Sequence, residues 1–524
     1  MSVPLAGQTS QEHANSDLAS SEKSGDRIPG AHSTQDRIKD DVQVLRWEVN
    51  DKANPLNWSK QRKWLVTGTA LFATLIFPLN GTSITVAANQ INEAFNVSDA
   101  SFPNSYWPVC SWNVGGAISI ILLLPLMEDL GVRVGFITTY VFFLLMIVPQ
   151  ALAQNFATLV VTRFFSGGCV ALLANTISSM IPDVWEEDKD RSIPVGVYII
   201  FYLAGNTLGP PIFAAITQYN LVWRWIFYIQ LIFYGALFPI FIVMIKETRG
   251  SVILRRRAKR MRKDTGKPIY TEDELNTQPL YQKLAKSSSR PLYLLVTEPV
   301  LFATTLWSAF SFGTVFLFTQ SVEQVFAETY GWQSYSTGYV QGAVVVGEVL
   351  GWLGTFYAAK LWLRSAARNT EAPGKPIPEA RLYVSVFGSF VGTTGGMFVY
   401  AWTSYPNLPW IAPTIGLAMV GFGIQTVVSA AADYITDAYA ASNYAASAIS
   451  AVAFGENMTA SFLPLAALKL YTNLGFQWAS TLLAFLAMLL SFAPVLFIWK
   501  GRQFRARSPF MQSGGQLQQK EQVG

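Results

Sequence analysis

The chain has 524 residues, 51% of them hydrophobic and only 14% charged, with a net charge of +5. Soluble chains carry about a quarter charged residues, so this composition argues against a string of soluble domains and for lipid as the solvent. The positive charge does not point to nucleic acid as a partner, because Lys and Arg sit in short blocks between apolar runs, the pattern of cytosolic membrane loops.

Residues 1–60 are polar and lack the apolar core of a signal peptide, which predicts a disordered cytosolic tail. Apolar runs of about 20 residues follow, the length a helix needs to cross a bilayer. The predicted spans are Trp64–Ala88, Asn104–Met127, Val134–Ala153, Phe156–Ile181, Ser192–Thr217 and Trp225–Ile245. After a polar loop they resume at Pro299–Gln320, Ser334–Ala358, Leu382–Trp402, Trp410–Tyr434, Ala441–Tyr471 and Trp478–Trp499. The organisation expected is an N-terminal six-helix bundle over 61–245, a basic cytosolic loop over 246–298, a C-terminal six-helix bundle over 299–499 and a cytosolic tail over 500–524. The fold class is all-α integral membrane.

The basic residues test this count. Lys60, Arg62 and Lys63 precede the first span, Arg133 follows the second, and Lys189 and Arg191 follow the fourth. The stretches at 89–101, 154–155, 218–222 and 404–409 carry neither Lys nor Arg, whereas 360–381 is basic and the last span exits into Lys500, Arg502, Arg505 and Arg507. Every second connection is basic, so both termini are expected in the cytosol. One connection breaks the pattern: that near Asp437 should be cytosolic and has no base. Two six-helix groups around a cytosolic loop is the layout of major facilitator transporters, whose substrate site lies at the midplane between the halves.

Little in the chain points to enzyme chemistry. Cys110 and Cys169 lie in apolar runs and form no CxxC pair; His13 and His32 precede the first span. A zinc site, a disulfide framework and histidine catalysis in the membrane body are excluded, and no cofactor or metal is expected. There is no GxxxxGK[ST] motif for ATP, so uphill transport would draw on an ion gradient. One proton crossing 100 mV supplies about 2.3 kcal/mol, enough for roughly a 50-fold gradient of a neutral solute.

Ionisable groups inside spans are costly and are functional candidates. Glu348 lies well inside the eighth span, with Gln341, Glu348 and Thr355 at seven-residue spacing on one face. Glu456 and its neighbour Asn457 lie near the middle of the eleventh. Each carboxyl either carries protons or is a neutral group bonded to a neighbouring helix. Arg163 sits in the outer part of the fourth span. Asp433 shares a stripe with Gln425 and Ser429 and reads as an interfacial carboxylate. Gln341, Asn457 and Gln425 are candidate cavity residues. Gly205 and Gly209, followed by Pro210 and Pro211, predict a close-packed bend in the fifth span. Asn96-Val97-Ser98 is a glycosylation sequon.

The residues resemble the fungal twelve-span drug:proton antiporters of the major facilitator superfamily, from about Trp47 to Lys500. Trp47–Glu48, Asp51 and Asn54-Pro-Leu-Asn-Trp-Ser59 with Lys63–Trp64 are similar to that family's opening signature. Leu159 to Gly168, with Arg163 and Gly167, resembles the fourth-span motif linked to proton coupling; Asp183, Trp185 and Arg191 match the loop after it. Gly205 to Pro210 resembles the fifth-span antiporter motif, and Trp223-Arg-Trp-Ile-Phe227 the start of the sixth span. Pro378-Glu-Ala-Arg-Leu382, Ala401-Trp-Thr-Ser404 and Tyr434–Tyr439 with Ala445–Ser447 carry the match through the second half. In the loop after the second span Pro125, Leu126, Glu128, Gly131 and Arg133 fit the gating motif. Asp129 and Val132 stand where that family has basic residues, which weakens the charge latch. Glu456 falls where many relatives have arginine.

The resemblance implies a monomeric exporter in the plasma membrane, or in a vacuolar or other internal membrane. It would exchange protons for a drug, toxin or secondary metabolite by alternating access. The alternatives are a nutrient or polyamine permease of the same fold and a non-transporting membrane receptor or scaffold.

Overall fold

The computed structural model describes residues 43–511, apart from 49, 100, 101, 187, 276–279, 370–372, 441 and 443. The tail expected over 1–60 lies mostly outside the described residues. Its last part, from Gln43, forms a short strand and a 3₁₀ turn, Pro55–Asn57, that leads into the first span.

Among the described residues, twelve helical stretches are long and apolar enough to cross a bilayer: Lys60–Phe95, Asn104–Met127, Val132–Ala151, Phe156–Val184, Asp190–Gln218, Arg224–Met244, Pro299–Tyr330, Ser334–Arg368, Pro378–Thr403, Ile411–Ala438, Ala445–Leu474 and Phe476–Arg507. They are numbered as spans in that order. The seventh ends at Tyr330, ten residues beyond the expected boundary, because Gly331 in the left-handed region supplies its C-cap (φ 67°). Asn155 caps the fourth span, its Oδ1 accepting from the Thr158 N–H at 2.7 Å.

The eighth span is interrupted at Gln341, and three others break at prolines or glycines in the sequence. Pro78 lacks an N–H and ends the regular helix Lys60–Ile76; the first span then tightens through Leu79–Thr82 and the 3₁₀ stretch Ser83–Ala87 before Ala88–Phe95 completes it. The fifth divides into Asp188–Thr207 and Gly209–Gln218, with Pro210 and Pro211 in the first turn of the second piece, where a missing N–H costs little. The ninth widens into a π-helical stretch at the glycine-rich Gly388–Gly395.

Packing repeats between the halves. The first span packs on the fifth, the second on the fourth and the third on the sixth; the seventh packs on the eleventh, the eighth on the tenth and the ninth on the twelfth. Each pairing recurs six spans later. The halves meet where the second span touches the eleventh and the fifth touches the eighth, which are again equivalent pairs under that shift.

At the end of the bundle where the first span starts and the last one finishes, the chain builds a small platform. Gln43–Val44 pairs in parallel with Ile269–Tyr270. The basic helix Gly250–Thr265 reaches back through Arg257, which donates to Asp51 at 2.5 Å. Arg262 donates through Nη1 and Nη2 to the two oxygens of Glu274, at 3.0 and 2.9 Å, and this fork holds the Glu274 carboxyl below its usual range. A further helix, Leu280–Thr297, packs on both the second and the eleventh spans, one from each half.

Candidate functional site

Arg163 is fully buried in the fourth span. Its Nε donates to the Pro108 carbonyl at 3.1 Å, and its two Nη groups donate to the carbonyls of Asn80 and Gly81. Those last carbonyls lie two and three residues after Pro78, where the helix Leu79–Thr82 gives way to the 3₁₀ stretch Ser83–Ala87. Asn80 extends the network: its Oδ1 accepts from Trp112 Nε1 at 3.0 Å and from Ser166 Oγ at 3.3 Å, and its Nδ2 donates to Gln230 Oε1 at 2.7 Å. Gln230 in turn donates to Ser83 Oγ at 2.7 Å. The guanidinium thus ties the broken first span to the second, fourth and sixth spans, using neutral acceptors throughout.

Glu348 is fully buried on the face the eighth span turns to the other half. Thr207 Oγ1 of the fifth span donates to its Oε1 at 2.7 Å, and its Oε2 has no partner among the described residues. The neighbouring Gly347 lets the eighth span press on the Ala418 carbonyl of the tenth; a side chain at 347 would collide with it. Arg163 and Glu348 are not brought together: one is saturated by carbonyls inside the first half, the other is bonded across the interface.

At the fifth-span bend the glycines lie against the first span. A Cβ on Gly205 would strike the Leu75 carbonyl, and one on Gly209 would strike Thr82 Oγ1 and the Ser83 N–H of the first span. Gly338 and Gly342 of the eighth span sit against Pro210 and Pro211 from the opposite side. Gln341 is buried at the junction between Ser334–Val340 and Gly342–Ser365. Gln425, by contrast, is packed on Gly351 between the eighth and tenth spans and donates to Ser429 Oγ at 3.0 Å.

Glu456 is half-buried and accepts from Ser308 Oγ of the seventh span at 2.5 Å. Asn457 meets Gly116 of the second span, where a Cβ would lie 2.9 Å from its Oδ1, so this pair belongs to the contact between the second and eleventh spans. Asn96 ends the helix Ala88–Phe95 in the left-handed region (φ 52°).

In the second-to-third loop, Gly131 has φ 94°, and its missing side chain makes room for Glu247. Glu247, at the end of the sixth span, accepts from the Val132 N–H at 3.0 Å and pairs with Arg256 at 3.5 Å. Arg133 donates to the Ile242 carbonyl at 3.4 Å, and Arg249 pairs with Asp183 at 3.3 Å. The side chain of Glu128 lies outside the described residues. The second half has a corresponding cluster. Arg381 donates to Asp437 at 2.9 Å and Asp433 at 3.3 Å while lying over the Trp362 ring, and Arg505 pairs with Glu379. Asp437, in the connection without a base of its own, is thus paired with Arg381 from the start of the ninth span, as is Asp433.

The profile of the Major Facilitator Superfamily matches residues 70–452. The chain belongs to that superfamily. It is 33% identical over 401 residues to the efflux pump atB of Aspergillus terreus, covering 75% of this chain and 82% of that protein. It is 29% identical to the multidrug transporter mdrA of Aspergillus fumigatus, covering 90% of this chain and 76% of that one. A solved structure of the xylose transporter XylE from E. coli, in a partially occluded inward-open conformation, superposes with a TM-score of 0.61. That match is 15% identical and covers 84% of this chain and 98% of the other. As a major facilitator protein the chain is a multi-pass membrane transporter of small molecules and not an enzyme.

Several site residues escape a search for charges. Asn80 and Gln230 are amides deep in apolar runs, and Asn80 follows Pro78 by two; an uncharged polar residue beside a mid-span proline was the available signal. Glu323 lies within the seventh span, accepting from Ser334 Oγ at 2.9 Å, in the stretch the sequence assigns to a loop. Glu247 sits at a span end where a carboxylate attracts no notice.

Proposed function

We propose that this major facilitator protein exports a small organic molecule, of the drug, toxin or secondary-metabolite kind, in exchange for protons, working by alternating access as a monomer in the plasma membrane. The names of the fungal relatives support export. The observation that carries coupling is the Glu348–Thr207 bond at the contact of the two halves. A carboxylate buried with one hydroxyl donor and no cation is expensive, and a proton removes that cost. The same contact must open when the halves rock apart, which would wet Glu348 and favour the charged form. Protonation and closure of the contact are then linked, and a proton gradient can drive the cycle. Glu456 is the second candidate for this task; Arg163 has a positioning role, holding the broken first span.

Reconstituted vesicles with an imposed pH step test the reading. Wild-type protein should move an efflux substrate uphill only with the gradient. Glu348→Gln keeps the shape and mimics the protonated form, so it should still bind the substrate and lose the response to the pH step. Uphill transport at the wild-type rate by Glu348→Gln, with loss in Glu456→Gln, transfers the role to Glu456. If both variants remain coupled, neither carboxyl carries the proton. Gradient-driven uptake into cells in place of efflux would favour the permease reading.

A further inference from the structure

Glu456 sits beside a row of aromatic rings that helix packing alone does not require. Tyr198 and Tyr202, one turn apart on the fifth span, have ring planes 5° apart and centroids 6.3 Å apart. Tyr202 is followed by Phe312 of the seventh span at 5.9 Å and 3°. Two rings from the first half and one from the second therefore share one orientation across the interface. Ser308, one turn before Phe312 on the seventh span, donates to Glu456 Oε1 and so sets the carboxyl beside the Phe312 end of the row. Phe312 is buried, while both tyrosines and Glu456 are half-buried. The row thus ends in a partly open wall with a carboxyl at its side, at the junction that alternating access must open.

We propose that Tyr198, Tyr202, Phe312 and Glu456 form the cargo subsite, and that it takes a flat organic cation. This deepens the export reading and rests on it. Parallel ring faces offer dispersion and cation–π attraction to a planar aromatic cargo. The carboxylate is the charge partner: Ser308 satisfies one oxygen, and the cargo cation faces the other. A neutral ring of the same shape gains the wall and forgoes the charge, and an anion is repelled. Because the tyrosines and the carboxyl belong to opposite halves, cargo binding bridges the halves it must travel between.

Two probes with the same three fused rings separate these contributions: N-methylacridinium, a permanent cation, and acridine at pH 8, which is neutral. Fluorescence titration of purified full-length protein should show the cation bound at least about tenfold more tightly. Glu456→Gln should bring the two affinities together, with thermal unfolding of the same samples reporting that the variant is folded. Tyr202→Ala should weaken both probes by a similar factor, and Tyr202→Phe should restore them. Equal affinities in the wild type, an undiminished cation preference in Glu456→Gln, or full binding by Tyr202→Ala would each overturn the proposal. Binding needs neither a gradient nor a direction, so failure here leaves the export test standing, and failure of export leaves this result readable.

Discussion

Arg163 and Glu348 are both buried charges by type, and their surroundings give them different work. Arg163 makes forked bonds to backbone carbonyls in the broken part of the first span, a geometry that a lysine cannot reproduce. Arg163→Lys keeps the charge and should still lose at least about tenfold in transport, with a lower melting temperature in detergent, since each lost bond to a charged group is worth about 1.5–3 kcal/mol. Wild-type transport by Arg163→Lys would mean that charge alone matters there. Among the described residues, Glu348 has a single side-chain partner, a hydroxyl donor from the opposite half. Thr207→Val should therefore change the pH response of transport more than it changes stability, read from transport rates across a pH series beside thermal unfolding of the same samples.

Under the export reading, the breaks in the elements are where the spans would bend during alternating access. The fifth-span bend packs on the broken part of the first span, with Thr82 Oγ1 donating to the Asn206 carbonyl at 2.5 Å directly beside Gly209. Gly209→Val would drive three carbons into Thr82 and Ser83, and overpacking of that kind costs about 1–3 kcal/mol. The expected result is protein that reaches the membrane in normal amount and exports at less than about a tenth of the wild-type rate; full efflux from well-expressed Gly209→Val would refute the close-packed bend. The position of the fifth-span bend was legible from Gly209-Pro210-Pro211, whereas the break at Pro78 falls inside a run read as the single span Trp64–Ala88. The extent of the seventh span was not legible, because Glu323 and Gln324 interrupt the apolar run while remaining inside the helix, where Glu323 accepts from Ser334 Oγ.

On the scale of the whole molecule, the basic loops predict that the platform at the terminal end faces the cytosol. Cysteine labelling of intact cells should reach positions 96 and 330 and spare 263; labelling of 263 from outside would invert the topology. The platform also has a pH response of known sign. The Ala53 N–H, first, and then Arg257 hold the Asp51 carboxyl below its usual range. A carboxylate with a depressed value favours the folded arrangement above its ordinary range and loses that contribution as pH falls through the folded value. A dye on Val44→Cys should thus gain mobility in fluorescence anisotropy only under acidic conditions. Asp51→Asn should show that mobility at neutral pH.

Hydrophobic length and the spacing of bases were enough to give twelve spans in two groups, because a bilayer imposes both on the sequence directly. The same logic flagged Glu348, Glu456 and Arg163, since a charge in an apolar run is conspicuous wherever it points. Which of them work together was decided only by tertiary packing. The pairing of the fifth span with the eighth sets Thr207 on Glu348; the break at Pro78 turns backbone carbonyls toward Arg163; the meeting of the fifth and seventh spans lines three rings up beside Glu456. Those contacts join residues more than 80 positions apart, and no local spacing in the chain encodes them.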